Sequence, residues 1–506
     1  MLMLLAMVGI CVSWAVLFAV MIGLGVAVQR LTGIKTLDFE GTISTFWFGW
    51  CLLILILQTW HLFARISSGA FFSVLSLSAV VFVAVRPQFP LFNERKTIRP
   101  WIFMIAALLL LWLANRAMAP IRQYDAGLYH LSAIRWISEY PIVPGLGNLH
   151  DRLGFNSSYF LFEAMLDIGF WAHRSHHLAG GLLLLVVTLE IGFSIYKAIV
   201  NRPIYFYDLM RILFLAPVMN FWITHASSTS PDLPMYLIGA LIGVRLCRFF
   251  FTPQSAENER TDVALIVVLA AAGVTVKLSF LILGTLASLV ACWKFSGTIQ
   301  ANEKNGESFV RSILIPVGFA SSTLLLWAFR NVILTGYPLY PSALLAFPVD
   351  WKMSVESLTN VSAWIQSWAR NPSALPGQVL ANWDWLQGWA ANLLNDKFEV
   401  ILPCVLFLGG TAATLVCILD GVFRFSDYVL FIFPAVGGLI FWFIMAPDPR
   451  YAGAAFWYLA AGAVALGYGG LCHGRTSEKG IRSTRFFVGA NDPDTPCEME
   501  NYTARS

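Results

Sequence analysis

Charge is what this sequence has least of. Asp, Glu, Lys and Arg make up 12% of its 506 residues, about half the share of a soluble domain. That shortage excludes an ordinary water-soluble globular protein. The net charge of +4 is spread over many loops without a basic block, so nucleic acid is not an expected partner. Eight cysteines are present, and none falls in the two long polar segments described below. No disulfide framework is therefore expected, and no CxxC or Cys/His metal spacing occurs. No positive charge precedes the first apolar run, which starts at Met1 and continues past Val28 without a small-residue cleavage site. It reads as a retained helix and not as a removed signal peptide. Internal repeats are missing too, as are the alternating segments of about ten residues that mark a membrane β-barrel.

What is present is apolar: 58% of the chain is hydrophobic. These residues come in runs of about 18 or more, enough to cross about 30 Å of hydrocarbon as helix. Backbone groups in lipid must pair within their own segment, so the expected fold is all-α, a polytopic transmembrane helical bundle of about 12–13 spans. Candidate spans are roughly 3–28, 45–63, 70–86, 100–118, 178–196, 207–225, 232–251, 263–293 as a hairpin, 312–330, 400–420, 427–446 and 452–472. Residues 1–472 form one transmembrane domain, and the polar tail 473–506 reads as cytoplasmic and disordered.

The positive-inside rule orients the spans. Arg86, Arg95, Lys96 and Arg99 cluster in one loop. Further groups are Lys197 with Arg202, Arg245 with Arg248 and Arg260, Lys294 with Lys304 and Arg311, and Arg475, Lys479, Arg482 and Arg485 in the tail. All face the cytoplasm together only if Tyr159–Trp171, too short to span, dips in and returns as a half-helix. The 263–293 stretch is flanked by Arg260 and Lys294, so it must also return, as a tight or re-entrant hairpin with Lys277 near its tip. An ammonium inside the bilayer is costly. Lys277 is expected either to meet a polar cavity or an anionic partner, or to snorkel to the interface. Two long loops with juxtamembrane helices, 119–158 and 331–398, then lie outside, with shorter outward turns at 225–231 and 447–451.

The first long loop carries Tyr124-Asp125-Ala126-Gly127-Leu128-Tyr129-His130, then Leu131, Ile134 and Ile137 at intervals of three. This pattern predicts an amphipathic helix at the membrane surface. Asp125 stands at its start, where an N-cap and a general base are both consistent roles. A turn shaped by Pro141, Pro144, Gly145 and Gly147 follows, carrying Asn148, His150, Asp151 and Arg152. Asn156-Ser157-Ser158 opens the half-helix. Polar groups beside an apolar floor suit a sugar site, or merely satisfy one another in an ordered loop. Asp232, in Ser230-Pro231-Asp232-Leu233-Pro234, starts a later span, where a helix-dipole role also fits. Arg450 and Tyr451, in Ala446-Pro447-Asp448-Pro449-Arg450-Tyr451, precede the last span. A guanidinium is not favoured at a helix N-terminus, so Arg450 suggests an anion partner or an interface arginine. The second long loop holds Trp351, Trp364, Trp368, Trp383, Trp385 and Trp389, which suit an interface belt or stacking on sugars. His173, His176 and His177 lack a nearby carboxylate and read as interface histidines.

The sequence of an acidic residue, a juxtamembrane helix, a Pro/Gly-shaped turn and polar residues leading into a short apolar helix resembles the first outer loop of GT-C superfamily glycosyltransferases. These are membrane enzymes that use dolichyl- or undecaprenyl-phosphate sugars, including protein mannosyltransferases and lipid A aminoarabinose transferases. The resemblance implies that Asp125 is the catalytic carboxylate and that Arg450 meets the carrier phosphate, with Lys277 assisting. Many members carry Asp-Glu where this chain has Asp125-Ala126, a departure that bears on the acceptor. The implied substrate-binding set is Arg450, Tyr451, Lys277, Asp232, Tyr129, His130, Asn148, His150, Asp151, Arg152 and Asn156. The implied activity is inverting hexosyl or pentosyl transfer from a polyprenyl-phosphate-linked sugar to a glycan, lipid or protein acceptor. It would occur on the outer face of a bacterial inner (plasma) membrane. No cofactor is implied and no residue pattern indicates a metal, although a divalent ion is compatible with the chemistry. Membrane lipid is the other expected partner. A polysaccharide polymerase or ligase acting on lipid-linked sugars, and a secondary transporter, are the alternatives.

Overall fold

With no water inside the hydrocarbon layer, each apolar run pairs its backbone as helix. The computed structural model describes residues 2–34, 38–86, 100–200, 202–302 and 310–479, and no strand occurs among them. Four helices open the chain: α1 (Leu2–Thr32), α2 (Phe39–Phe63), α3 (Ser68–Val85) and α4 (Pro100–Ala117). The first long loop contributes α5 (Leu131–Glu139) and leads into α6 (Ser158–Leu166). Then come α7 (Ala179–Ile199), the broken pair α8 (Phe206–Leu213) and α9 (Leu215–Thr224), α10 (Asp232–Phe251), α11 (Ala256–Val276), α12 (Leu281–Asn302) and α13 (Ile315–Thr335). The second long loop holds α14 (Val355–Arg370) and α15 (Trp385–Asn395), and α16 (Leu402–Leu419), α17 (Phe425–Met445) and α18 (Ala455–Lys479) complete the bundle.

Eleven helical stretches among the described residues are long and apolar enough to cross a membrane. The protein is an integral, multi-pass membrane protein. Beside them run α4, an apolar helix of 18 residues, and α11, which carries Glu257, Glu259, Arg260 and Asp262 near its start. The expected hairpin at 263–293 is therefore corrected. It is two long helices, of 21 and 22 residues, because the charged first turns of α11 count as helix. The break between them falls at Lys277, the residue expected at the tip. The half-helix is present as α6, nine residues long, which at 1.5 Å per residue reaches about 13 Å. All nine of its residues are buried. An even number of crossings therefore precedes the first long loop, the 225–231 turn, Lys277, the second long loop and the 446–454 turn. All five lie at one end of the bundle, called here the loop end. At the other terminus α18 runs on to Lys479, beyond the expected limit of 472. The expected disorder of the remaining tail, and the loop basic residues Arg95, Lys96, Arg99 and Lys304, lie outside the described residues.

Small residues let the N-terminal helices touch. A Cβ on Gly49 would stand 1.8 Å from the Met21 carbonyl oxygen, and one on Gly25 1.8 Å from that of Thr45. This is backbone-to-backbone packing of the kind membrane helices use in place of a hydrophobic drive.

The far end of the bundle holds a second device. Lys197, Arg245 and Arg248 look like loop cations in the sequence, yet the structure places them within α7 and α10 and turns them inward. Arg211 pairs with Glu40 and lies 3.0 Å from Glu190. Lys197 donates to Asp208 at 2.8 Å, Arg245 lies 3.4 Å from Asp262, and Arg248 lies 3.8 Å from Glu40. These side chains are all at most 11% exposed. The network joins α2, α7, α8, α10 and α11. Breaking such a buried set by removing one partner leaves a charge unmatched, at a cost of about 3–5 kcal/mol. Glu40→Ala should therefore lower the unfolding free energy of the detergent-solubilised protein by about that much. A variant as stable as the parent in denaturant titration would show that Glu40 does not hold α2 to the bundle.

Candidate active site at the loop end

Five separate segments deliver charged and aromatic side chains to the loop end. In the first, Asp125 precedes a five-residue π turn, Ala126–His130, that runs into α5. Its backbone is helical and its side chain makes no cap hydrogen bond. The N-cap role is thus corrected: the carboxylate turns instead toward two guanidinium groups. Its Oδ2 accepts from Arg450 Nη1 at 3.2 Å, and its Oδ1 lies 4.0 Å from Arg152 Nη1. Arg450 is 325 residues away in the chain. Single π turns occur frequently at functional sites, and this one sets Tyr129 and His130 behind Asp125.

Arg152 arrives on a 3-10 turn, Asp151–Gly154, and its guanidinium lies 5.7 Å over the Tyr129 ring. Asp232 starts α10, where Ser230 Oγ donates to its Oδ2 at 3.1 Å. Lys277, left extended where α11 ends, hydrogen bonds Asp232 Oδ1 and stands 4.3 Å over the Tyr451 ring. The anionic partner expected for Lys277 is therefore Asp232. Arg450 sits on a 3-10 turn, Pro449–Ala452. Its Nη2 donates to Tyr451 Oη at 2.8 Å, and its Nε lies 3.7 Å from Asp448 without a hydrogen-bond partner among the described residues. The Arg450 guanidinium and the Lys277 ammonium both lie against the ring of Tyr451, a cation–π arrangement that holds two cations near each other.

The environment sets protonation. Burial works against the Arg450 charge, but Tyr451, Asp448, Asp232 and Asp125 outweigh it and hold its pKa above the ordinary value. Burial raises Asp448, with Arg450 pulling the other way. Burial also pushes Tyr451 up to about 12 and raises Tyr129, helped by Asp125 and Asp232, so both phenols keep their protons. His130 is lowered to about 4 by burial, although Asp125 and Asp232 favour its charge while Lys277 and Arg450 oppose it. Neutral at pH 7, it lies 3.1 Å from Thr229 Oγ1 and ties the first loop to the 225–231 turn.

An open cavity of about 410 Å³ adjoins Arg450, lined also by Asp448, Glu399, Asp396, Asn220 and Phe398. A second cavity, apolar and of about 570 Å³, lies between α16, α17 and α18 against Phe407, Leu439, Phe443 and Leu459. A narrow pocket joins their linings: it shares Phe398, Glu399 and Pro449 with the first and Phe456 with the second.

The structure thus gathers Asp125, Arg152, Asp232, Lys277, Arg450 and Tyr451, with Tyr129 and His130 behind them. Four other sequence candidates point elsewhere. Asn148 donates to the Trp351 carbonyl at 2.7 Å, stapling one loop to the other. His150 and Asp151 lie 3.2 Å from each other, and both accept from the Arg152 backbone. Asn156 is buried; its Nδ2 donates to the Trp327 carbonyl and its Oδ1 accepts from Arg330. Their polarity is satisfied locally, which is the alternative the sequence left open. Two acids escaped the sequence reading, Asp448 and Glu399. The signal for each was an acid at the loop end of an apolar span. The tryptophans divide as well. Trp364 and Trp368 are exposed, as an interface belt requires, but Trp389 donates to Pro447 O at 2.6 Å and Trp442 to Asp448 O at 2.6 Å. With Arg370, which donates to Ile444 O at 2.7 Å, they fix the turn that presents Arg450. Among the described residues no group of three or more His, Cys, Asp or Glu is placed to hold a metal.

The fold and this site define a multi-pass membrane protein with a cluster of charged and aromatic side chains beside an open cavity at one end of its bundle. The chain belongs to the family described as a domain of unknown function (DUF8201), whose model matches residues 7–457. That match takes in the first three helices with the site. No curated protein and no solved structure matches the chain.

His130 generates a pH prediction. Its proton is held with a pKa of about 4 in the fold and about 6.5 when unfolded, so the unfolded state binds more protons between those values. Stability from this residue should be complete above about pH 6.5 and lost as pH falls toward 4, a change of at most about 3 kcal/mol. Thermal unfolding of the parent and His130→Gln proteins across pH 4–7 measures it. Identical pH slopes would remove the assignment.

Proposed function

We propose that the protein is a membrane glycosyltransferase that takes sugar from a polyprenyl-phosphate carrier and passes it to a hydroxyl acceptor at the loop end. One observation carries the proposal: Asp125 and Arg450, from opposite ends of the chain, meet at 3.2 Å beside an open cavity. A base and an anion-binding cation placed together are what displacement of a phosphate leaving group requires.

The carrier has an anionic head and an apolar tail. Arg450 supplies a guanidinium with an unused Nε donor, matched to phosphate geometry. The adjoining apolar cavity between α16, α17 and α18 suits an isoprenoid chain. In this structure Arg450 pairs with Asp125. A phosphate competes for the same guanidinium, and its arrival releases the carboxylate to work as a base. Asp125 then accepts the acceptor O–H proton as that oxygen forms a bond to the anomeric carbon. The bond from that carbon to the phosphate oxygen breaks, and its electron pair leaves with the phosphate. Arg450 stabilises the resulting charge, with Lys277 held nearby by Asp232 and Tyr451. A single in-line displacement inverts the anomeric centre. We place the site on the outward face of a bacterial plasma membrane, following the distribution of loop basic residues. The charged groups lie at helix ends and in loops, whereas a secondary transporter carries its site on broken helices near the midplane.

Asp125→Asn should cut transfer by about 10²–10⁴-fold with the melting temperature preserved. The assay is release of labelled sugar from a panel of polyprenyl-phosphate sugars in proteoliposomes. Full activity in that variant would end the base assignment. Arg450→Ala should weaken binding of undecaprenyl phosphate by about tenfold or more, read by native mass spectrometry. Equal affinity in the two proteins would argue against the phosphate role.

A further inference from the structure

Arg211, Arg245 and Arg248 are buried against carboxylates. Arg330, on α13 near the loop end, is buried as deeply, with 2% of its surface exposed. Among the described residues no carboxylate pairs with it; every partner is neutral. Its Nε donates to Asn156 Oδ1 at 3.2 Å, and its Nη1 to the Gln58 carbonyl at 3.4 Å and to His61 Nδ1 at 3.0 Å. His61 Nε2 lies 3.1 Å from the Tyr140 carbonyl oxygen. A carbonyl only accepts, so Nε2 carries the imidazole proton. Nδ1 therefore offers its lone pair to Arg330, and the ring is uncharged.

A full positive charge thus stands inside the bundle with hydrogen bonds but no counter-charge. Neutral acceptors satisfy N–H groups; they do not cancel the cost of a buried ion. Beside Arg330 is a small cavity of about 30 Å³ whose polar wall is Arg330, His61, Asn156 and Ser157 and whose remaining wall is apolar, from α5, α6, α13 and the 140–157 turn. A single water needs about 10–15 Å³ measured this way, so the space takes one small ion and is too small for a phosphate. Ser157 Oγ is already committed to the Val276 carbonyl at 2.9 Å, and Asn156 Nδ2 to the Trp327 carbonyl at 3.0 Å. The guanidinium is the one charged group on the cavity wall.

We infer that Arg330 holds a monovalent anion of halide size in this cavity, at the junction of α2, α13 and the 140–157 turn. The bound ion supplies the missing counter-charge. It also fastens α2 and α13 to the loop that carries Arg152, because His61, Arg330 and the 140–157 turn all reach the cavity wall, which α5 and α6 complete. The inference is independent of the glycosyltransferase reading.

The test uses the full chain purified in detergent. Its melting temperature is followed as sodium gluconate is replaced by sodium chloride or bromide at constant ionic strength, gluconate being too large to enter. A saturable rise of about 2 °C or more is expected, and Arg330→Met should abolish it. Crystals grown in bromide should show an anomalous peak within hydrogen-bonding reach of the Arg330 guanidinium; this measurement needs no variant, so it stands even if Arg330→Met folds poorly. Equal melting temperatures in gluconate and halide would overturn the inference. So would a halide shift that survives Arg330→Met, which would move binding to the exposed cations Arg152 and Arg450, or a cavity holding only water.

Discussion

A charge inside a membrane bundle must meet an opposite charge, and that requirement organises this molecule. The helices themselves are cheap to specify, since any apolar run of sufficient length becomes one. What fixes their mutual arrangement are the few ionisable side chains that cannot face lipid. Arg330 and Glu163 aside, most of them collect in two places. At one end Glu40, Glu190, Asp208 and Asp262 are matched by Lys197, Arg211, Arg245 and Arg248 across five helices. At the other, Asp125, Asp232 and Asp448 face Arg152, Lys277 and Arg450.

The two clusters differ in their access to water. The first is sealed, and its geometry ties helices together. The second borders a cavity of about 410 Å³ at Arg450 and Asp448, and its charges are shared: Arg450 hydrogen bonds Asp125 at 3.2 Å and lies 3.7 Å from Asp448, while Arg152 stands 4.0 Å from Asp125. Groups so held exchange partners readily when a ligand of suitable charge arrives. The aromatic ring of Tyr451 lies against two cations, Lys277 and Arg450, and the Trp389, Trp442 and Arg370 hydrogen bonds keep the Arg450 turn in register with the rest. Rigid support under a loosely neutralised set of charges is the physical character of a binding site.

Crossing parity linked the levels. The sign of the flanking loops requires Tyr159–Trp171 to dip and 263–293 to return. Both returns exist, although the second is a pair of full helices whose charged ends disguised their length. The same parity put Asp125, Asp232, Lys277 and Arg450 at a common end, which is why residues scattered over most of the chain could be grouped at all.

Apolar run length and loop charge are local, additive properties, so the amino-acid order alone determined the helical class, the short α6, the break at Lys277 and the end of the bundle that carries the loops. Side-chain direction is not local. Asp125 and Asn156 stand in the same loop with similar polarity, yet one faces Arg450 and the other locks onto Trp327 and Arg330. Tryptophans four residues apart, Trp385 and Trp389, cover a turn near Pro447 instead of joining the exposed Trp364 and Trp368. Arg330 lacks a counter-charge only because α2, α13 and the first loop converge there. Each of these outcomes was decided by which distant segment happened to be packed alongside, and only the tertiary structure supplies that.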